Sequence, residues 1–344
     1  MMMMKRLGIS VLLVLCGLGA SSAFAQNPHL VVYQGDQGPG RGKHIVFLAG
    51  DHEYRSEESL PELARIMARH YGFKCSVFIT TDPKTGYIDP GSSDISGLEA
   101  LKTADLLVIF LRFQDFPDQE MQHIADYVAR GGPIVAFRTA THAFQIKRPD
   151  AKFVKWTWNN KTDYVGGFGR QILGETWVTH YGTNHKQSSR LLLQAAEAKH
   201  PILTGVKDVW VQSGGYTADP IEGSHVLATG QILDGMTPDS PPAKDKKELP
   251  VAWYRTYQVE GGKPGRVFTT THGASEDLLN DGFRRLSVNA MLWAAGLEAS
   301  IRPTSNISLV GPYHPSTFSF GGYVKELKPS DLAGWDSPIP RQPK

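Results

Sequence analysis

The segment HIVFLAGDHEYRSEES, residues 44–59, places Asp51, His52, Glu53, Tyr54, Arg55 and Glu57 directly after an apolar run. A connecting turn needs a glycine and a cap; it does not need two acids, a histidine and an arginine. Three later stretches repeat the form. FLRFQDF supplies Arg112 and Asp115, FRTATHAF supplies His142, and VFTTTHGA supplies His272, each at the end of an apolar run. WVTHYGTNH adds His180 and His185. Imidazoles beside carboxylates support two chemistries, and both stay open: general acid–base catalysis near neutral pH, or ligation of a divalent ion, zinc first. For the first, Glu53, His142 and His272 are the candidate catalytic groups. Asp51, Arg55, Glu57 and Arg112 are candidates for holding substrate oxygens, and Trp177 and Tyr181 for an aromatic platform. For the second, the candidate ligands are His52, His142, His180 and His185.

Other chemistries have less to stand on. HExxH, CxxC and GxSxG are absent, and the turn after the fourth strand offers Thr139 and Thr141 rather than a serine or cysteine elbow. Cys75 lies in an apolar strand and reads as core filler. The glycine-rich GGFGR at 166–170 lacks the strand–turn–helix setting of a phosphate loop, so no nucleotide cofactor is expected. A lone histidine after a strand is ordinarily a hydrogen-bonded loop residue, so the case for a site rests on convergence of several.

Convergence requires elements that bring these tips together. HIVFLAG, FKCSVFIT, ADLLVIFL and PIVAFRTA read as buried strands. Residues 56–71 and 117–130 read as amphipathic helices, the first with Ser56 or Ser59 as cap, the second ended by Gly131-Gly132. This alternation predicts an α/β fold with a parallel sheet and right-handed crossovers. In such a sheet ligands bind beyond the carboxyl ends of the strands, where Glu53, Arg112, His142 and His272 would all emerge. Residues 143–187 form a long aromatic insertion. SSRLLLQAA, HVLATG, VAWYRTY and RVFTTT read as further strands, and residues 281–295 as a last helix.

Residues 1–25 read as a cleaved export signal, with Lys5 and Arg6, a short apolar stretch and Ala23-Phe24-Ala25. A periplasmic or secreted protein is expected, with no membrane partner after cleavage. The formal charge of +2 falls to zero without Lys5 and Arg6, and no basic run remains to neutralise phosphates, so nucleic acid is not expected. Residues 26–42 read as a polar lead-in, 43–298 as the folded domain and 299–344 as an extended C-terminal tail.

The chain resembles the trehalose-utilisation (ThuA-like) family over roughly residues 43–297. The resemblance rests on HEYRSEES, DYVARGGPIVAFRTATHAF, LGETWVTHYG, KHPILTGV and GRVFTTTHGASEDLLNDGFRRLSVNAMLWAAGLE. It implies a flavodoxin-like, class I glutamine amidotransferase-like fold: a three-layer sandwich with a mostly parallel central sheet. It also implies a carbohydrate role linked to disaccharides and 3-keto-sugars, and a strand-tip metal in some members. Glu53, Arg55 and Glu57 match the first-tip motif, His142 and His272 the later tips, and His180 a histidine of the insertion. The amidotransferase cysteine is missing here, which argues against glutamine hydrolysis. The expected partner is a small carbohydrate, processed by hydrolysis, elimination or isomerisation; the alternative is a non-catalytic carbohydrate-binding or scaffold protein. Oligomerisation stays open.

Overall fold

A computed structural model describes residues 27–340. The expected export signal lies outside the described residues. Among the described residues twelve strands form: β1 Leu30–Gln34, β2 His44–Gly50, β3 Lys74–Ile79, β4 Leu106–Leu111, β5 Ile134–Phe137, β6 His180–Tyr181, β7 Ser188–Leu193, β8 Trp210–Val211, β9 Gly215–Tyr216, β10 Ser224–Leu233, β11 Leu249–Tyr257 and β12 Gly265–Thr270. The main sheet runs β1-β3-β2-β4-β5-β12-β11-β10-β7-β8. Strands β3, β2, β4, β5 and β12 are parallel. The others join antiparallel, making the sheet mixed. The parallel order is that of a flavodoxin-like doubly wound sheet, whose switch point falls between β2 and β4.

Alternate residues of each central strand feed opposite cores, as the strand period of two requires. Ile45, Phe47 and Ala49 face α1 (Ser56–Tyr71) and α3 (Asp281–Ala294). Val46 and Leu48 face α2 (Asp118–Ala129) and the insertion aromatics Phe144, Phe153, Trp156 and Phe168. Three layers result. Phe283, Leu286, Ala290 and Trp293 of α3 are buried as its spacing predicts.

Three local expectations are corrected. The lead-in contains edge strand β1, pairing antiparallel with β3 and burying Val31 and Tyr33. Neither Ser56 nor Ser59 caps α1; Arg55 occupies the cap position in left-handed geometry, φ 65°. The FRTA stretch leaves β5 at Phe137, and Arg138–His142 forms a tight helical turn.

Helix α1 buries Glu57, Glu58, Glu62 and Arg65, charges that would ordinarily face water. The C-terminal tail covers them. Its backbone supplies partners to three of them: Val310 N–H donates to Glu62 Oε1 (2.7 Å), Ser316 N–H donates to Glu58 Oε2 (2.7 Å), and Arg65 Nη2 donates to Leu332 O (3.0 Å). Tyr33 Oη also donates to Leu332 O, at 2.7 Å.

Burial pushes the Glu62 carboxyl from 4.5 up to about 7. A raised folded value stabilises fully below the unfolded value and loses that contribution as pH rises through the folded one. Glu62→Gln, which keeps the acceptor for Val310, is therefore expected to gain stability relative to wild type between pH 5 and 8, by roughly 3 kcal/mol at most. Paired thermal melts at those two pH values check it; a constant difference would refute it.

Candidate functional site

The site begins at the switch point. Gly50 ends β2 where a Cβ would meet Leu111, Gln114 and Thr80 at about 3 Å. The turn that follows is organised by Asp51. Its Oδ1 accepts the backbone N–H of Glu53 (2.8 Å) and of Tyr54, and its Oδ2 accepts Thr139 Oγ1–H (2.5 Å) from the β5 tip. Its own N–H donates to Ser56 Oγ at 2.9 Å. The β4 and β5 tips are zipped together in turn: Phe113 N–H donates to His142 O (3.0 Å) and Gln114 N–H to Ala143 O (2.7 Å). Gln114 Nε2 donates to Gly50 O at 2.8 Å. Phe113 and Arg138 join Arg55 in left-handed conformations, φ 53° and 43°. Such strain persists only where surrounding contacts over-determine it.

On this frame, Glu53 and Arg112 meet across the switch point, Arg112 Nη1 donating to Glu53 Oε2 at 2.7 Å with both side chains buried. Burial raises the Glu53 carboxyl while Arg112 and Arg138 pull it down. Asn184 Nδ2 lies 3.4 Å from Glu53 Oε1 and donates to Tyr54 Oη at 2.9 Å. Tyr54 Oη is 3.1 Å from His180 Nε2. With Asn184 donating to its oxygen, the Tyr54 proton is directed at His180 Nε2. The second proton-bearing position of neutral His180 is then Nδ1.

His142 has the opposite sense. Thr141 Oγ1 donates to Arg138 O (3.2 Å), which leaves it to accept from His142 Nδ1 (3.2 Å) and leaves the lone pair on Nε2. The His142 ring sits 4.9 Å from Phe113, 5.3 Å from Trp177 and 5.7 Å from Tyr216, centroid to centroid. His180 contacts the same Trp177 and Tyr216 rings at 5.7 and 5.4 Å. Burial, then Arg112, His180 and Arg138, hold His142 well below the usual imidazole range. Burial, then Arg138 and Arg112, lower His180 to about 4. Both rings are neutral at physiological pH. Trp158 packs on Trp177 (5.4 Å) and extends the aromatic wall. The buried polar atoms His52 Nδ1, Arg112 Nε, Trp158 Nε1, Trp177 Nε1, Asn184 Oδ1 and Tyr216 Oη have no protein partner, a concentration of unmet hydrogen bonding that a polyhydroxyl ligand would answer.

Glu53, Arg112, His142, Trp177 and His180 thus share one rim. Other expected residues do not join them. Asp51 is consumed by the turn. Arg55 is fully buried and donates through Nη2 to His52 O (2.9 Å) and Ser319 O (2.8 Å), so it holds the tail. Glu57 lies beside Arg55, 3.5 Å from Nη1. Tyr181 follows His180 on β6, and Lys246 lies 4.9 Å from its ring centroid. His185 stacks on Phe318 at 4.3 Å. His272 is fully enclosed, its Nδ1 3.4 Å from Ser213 Oγ, and burial lowers it to about 3; it cannot touch a ligand in this arrangement.

The proposed metal set does not fit. Among the described residues, the only three or more His, Cys, Asp or Glu side chains with ligand atoms within 4.8 Å of one another are Glu99, Glu120 and His123, beside α2. His52, His142, His180 and His185 supply no such cage, and His180 Nε2 is taken by Tyr54. The sequence pattern gave Tyr54 no role and did not single out Asn184, Arg138 or Tyr216. Arg138 lies with its guanidinium carbon 3.7 Å from the Tyr54 ring centroid and 4.8 Å from that of Tyr216; its reading as a strand residue hid it.

The family model described as trehalose utilisation (ThuA) matches residues 43–294. No curated protein matches the chain. Among solved structures, a putative ThuA-like protein from Parabacteroides merdae ATCC 43184 is similar at 15% identity and TM-score 0.42, covering 81% of this chain and 97% of that one. Another, from Bacteroides uniformis ATCC 8492, gives 15% identity and TM-score 0.45, covering 78% and 96%.

Asp51→Ala would strand two buried backbone N–H groups and the Thr139 hydroxyl. It is expected to cost about 3 kcal/mol or more, read from denaturant midpoints; a loss under about 1 kcal/mol would show that the turn holds itself.

Proposed function

The chain belongs to the trehalose-utilisation family, and from that premise we propose that its strand-tip site performs proton transfer on a carbohydrate, at the carbon beside a sugar carbonyl. The observation that carries this reading is the pair of neutral imidazoles of opposite sense, His142 with a lone pair on Nε2 and His180 with N–H on Nδ1, facing a clamped arginine. His142 Nε2 takes the proton from carbon, the C–H electrons form the C=C bond of an enol, and the carbonyl oxygen is met by Arg112 or receives the His180 Nδ1 proton. Returning that proton from the His142 imidazolium to the former carbonyl carbon, while the hydroxyl on the deprotonated carbon gives up its proton and becomes the new carbonyl, isomerises the sugar. Re-forming the original carbonyl while a group one carbon further on leaves with its bonding electrons and takes the imidazolium proton eliminates it. Glu53 fixes Arg112 and balances its charge. Tyr54 and Asn184 orient His180. The aromatic wall of Trp177 and Trp158 suits the apolar face of a sugar ring.

Glycoside hydrolysis has weaker support. Most glycosidases use two carboxylates across the scissile bond, and of the strand-tip acids Asp51 is held by backbone N–H groups and Asp115 by Arg148, leaving Glu53 with Arg112. The export signature of residues 1–25 supports action outside the cytoplasm. A second reading, carbohydrate binding without turnover, is favoured by the aromatic wall alone.

The test is solvent exchange. In D2O, the protein is expected to incorporate deuterium beside the carbonyl of a 3-keto-glucoside, followed by NMR. His142→Ala should slow it by about 10²–10⁴-fold, the usual worth of a positioned base. Because the working imidazoles must be neutral, the rate should stay level as pH falls through 6.5 and decline only toward about 4. Binding without exchange would favour the second reading, and neither would dismiss both.

A further inference from the structure

We propose that Phe320, on the C-terminal tail, is a substrate-contacting, specificity-determining residue of this site; the proposal rests on the carbohydrate reading above. The family match ends at residue 294, so the tail lies outside the matched region. Yet the tail reaches the rim and is fixed there from several sides. Ser316 N–H donates to Glu58 Oε2 (2.7 Å), Thr317 Oγ1 to Glu276 Oε1 (3.0 Å), and Phe318 N–H to Glu276 Oε2 (3.3 Å). Arg55 Nη2 donates to Ser319 O (2.8 Å), and Gly321 N–H to His52 O (3.3 Å).

The two phenylalanines of this turn have different fates. Phe318 is buried, 5.0 Å from the Tyr54 ring and stacked on His185. It is the anchor. Phe320 is 62% exposed, the most exposed large hydrophobic side chain among the described residues. Its ring centroid lies 4.7 Å from the Arg112 guanidinium carbon and 5.6 Å from the His52 ring. The guanidinium of Arg112 therefore has Glu53 on one nitrogen, Phe113 at 5.1 Å and Phe320 at 4.7 Å. An aromatic ring held open to water at the edge of a polar site gains by covering its free face with apolar surface. The C–H face of a pyranose offers such a surface while its hydroxyls turn to His52 and Arg112.

Truncating the tail is not the test, since it would strip Glu58, Glu62 and Arg65 of their partners. Point variants of the full chain serve instead, titrated calorimetrically with trehalose, cellobiose and a 3-keto-glucoside. Phe320→Ala is expected to weaken the best-bound sugar at least tenfold and to change the ranking of the three, with Tm within a degree or two of wild type. Phe320→Trp is expected to hold wild-type affinity. If Trp177→Ala weakens binding and Phe320→Ala does not, the tail proposal is overturned while the carbohydrate reading stands. If wild type binds none of the three, both fall.

Discussion

The buried carboxylate of Asp51 governs the geometry of the strand-tip edge on which the candidate site is built. It ties the turn after β2 to the β5 tip by gathering two backbone N–H groups and the Thr139 hydroxyl. Without it the turn could not place Glu53 over the gap beyond the ends of β2 and β4, where the connections of a doubly wound sheet leave for opposite faces. The Glu53–Arg112 pair closes that gap. A buried ion pair is a poor source of net stability, since desolvation offsets attraction; here its value is positional. It leaves a guanidinium in fixed orientation beside two imidazoles.

Those imidazoles owe their state to their surroundings. Arg112 and Arg138 put positive charge next to rings already deprived of water, and both influences oppose protonation. Hydrogen bonds then select the tautomers: Thr141 leaves the His142 lone pair outward, while Tyr54 leaves the His180 N–H outward. Each ring's tautomer is thus set by a neighbouring hydroxyl.

Much of the framework was legible in the sequence. Continuous apolar runs marked β2, β3, β4 and β5, and the spacing of Leu60, Leu63, Ile66, Met67 and Tyr71 marked α1 with its observed bounds. β1 was missed because its two buried residues, Val31 and Tyr33, sit in a polar, glycine-rich setting. For the site, the rule that ligands lie beyond strand ends selected Glu53, Arg112 and His142. It also selected His272, which stands at a strand end but points into protein; position along a strand does not say which way a tip residue faces. The Glu53–Asn184–Tyr54–His180 chain was out of reach, because its members are separated by up to 131 residues and meet only through hydrogen bonds. Arg55 and Glu57, at the start of α1, looked like ligand-binding groups. Arg55 instead holds the backbone of a tail whose sequence carries no periodic signal, and Glu57 lies against Arg55.

That tail has a consequence for how the molecule comes into being. Tyr33 bonds to Leu332 across 299 residues, so the opening strand and the closing segment of the described chain are neighbours in space. Contacts this distant in sequence are entropically costly to form and slow folding. During synthesis, α1 must carry Glu58, Glu62 and Arg65 without their partners until residues 310–332 emerge. The chain is built like a belt whose buckle is made last, and a polypeptide cut short before residue 320 would fold, if at all, around an edge left open.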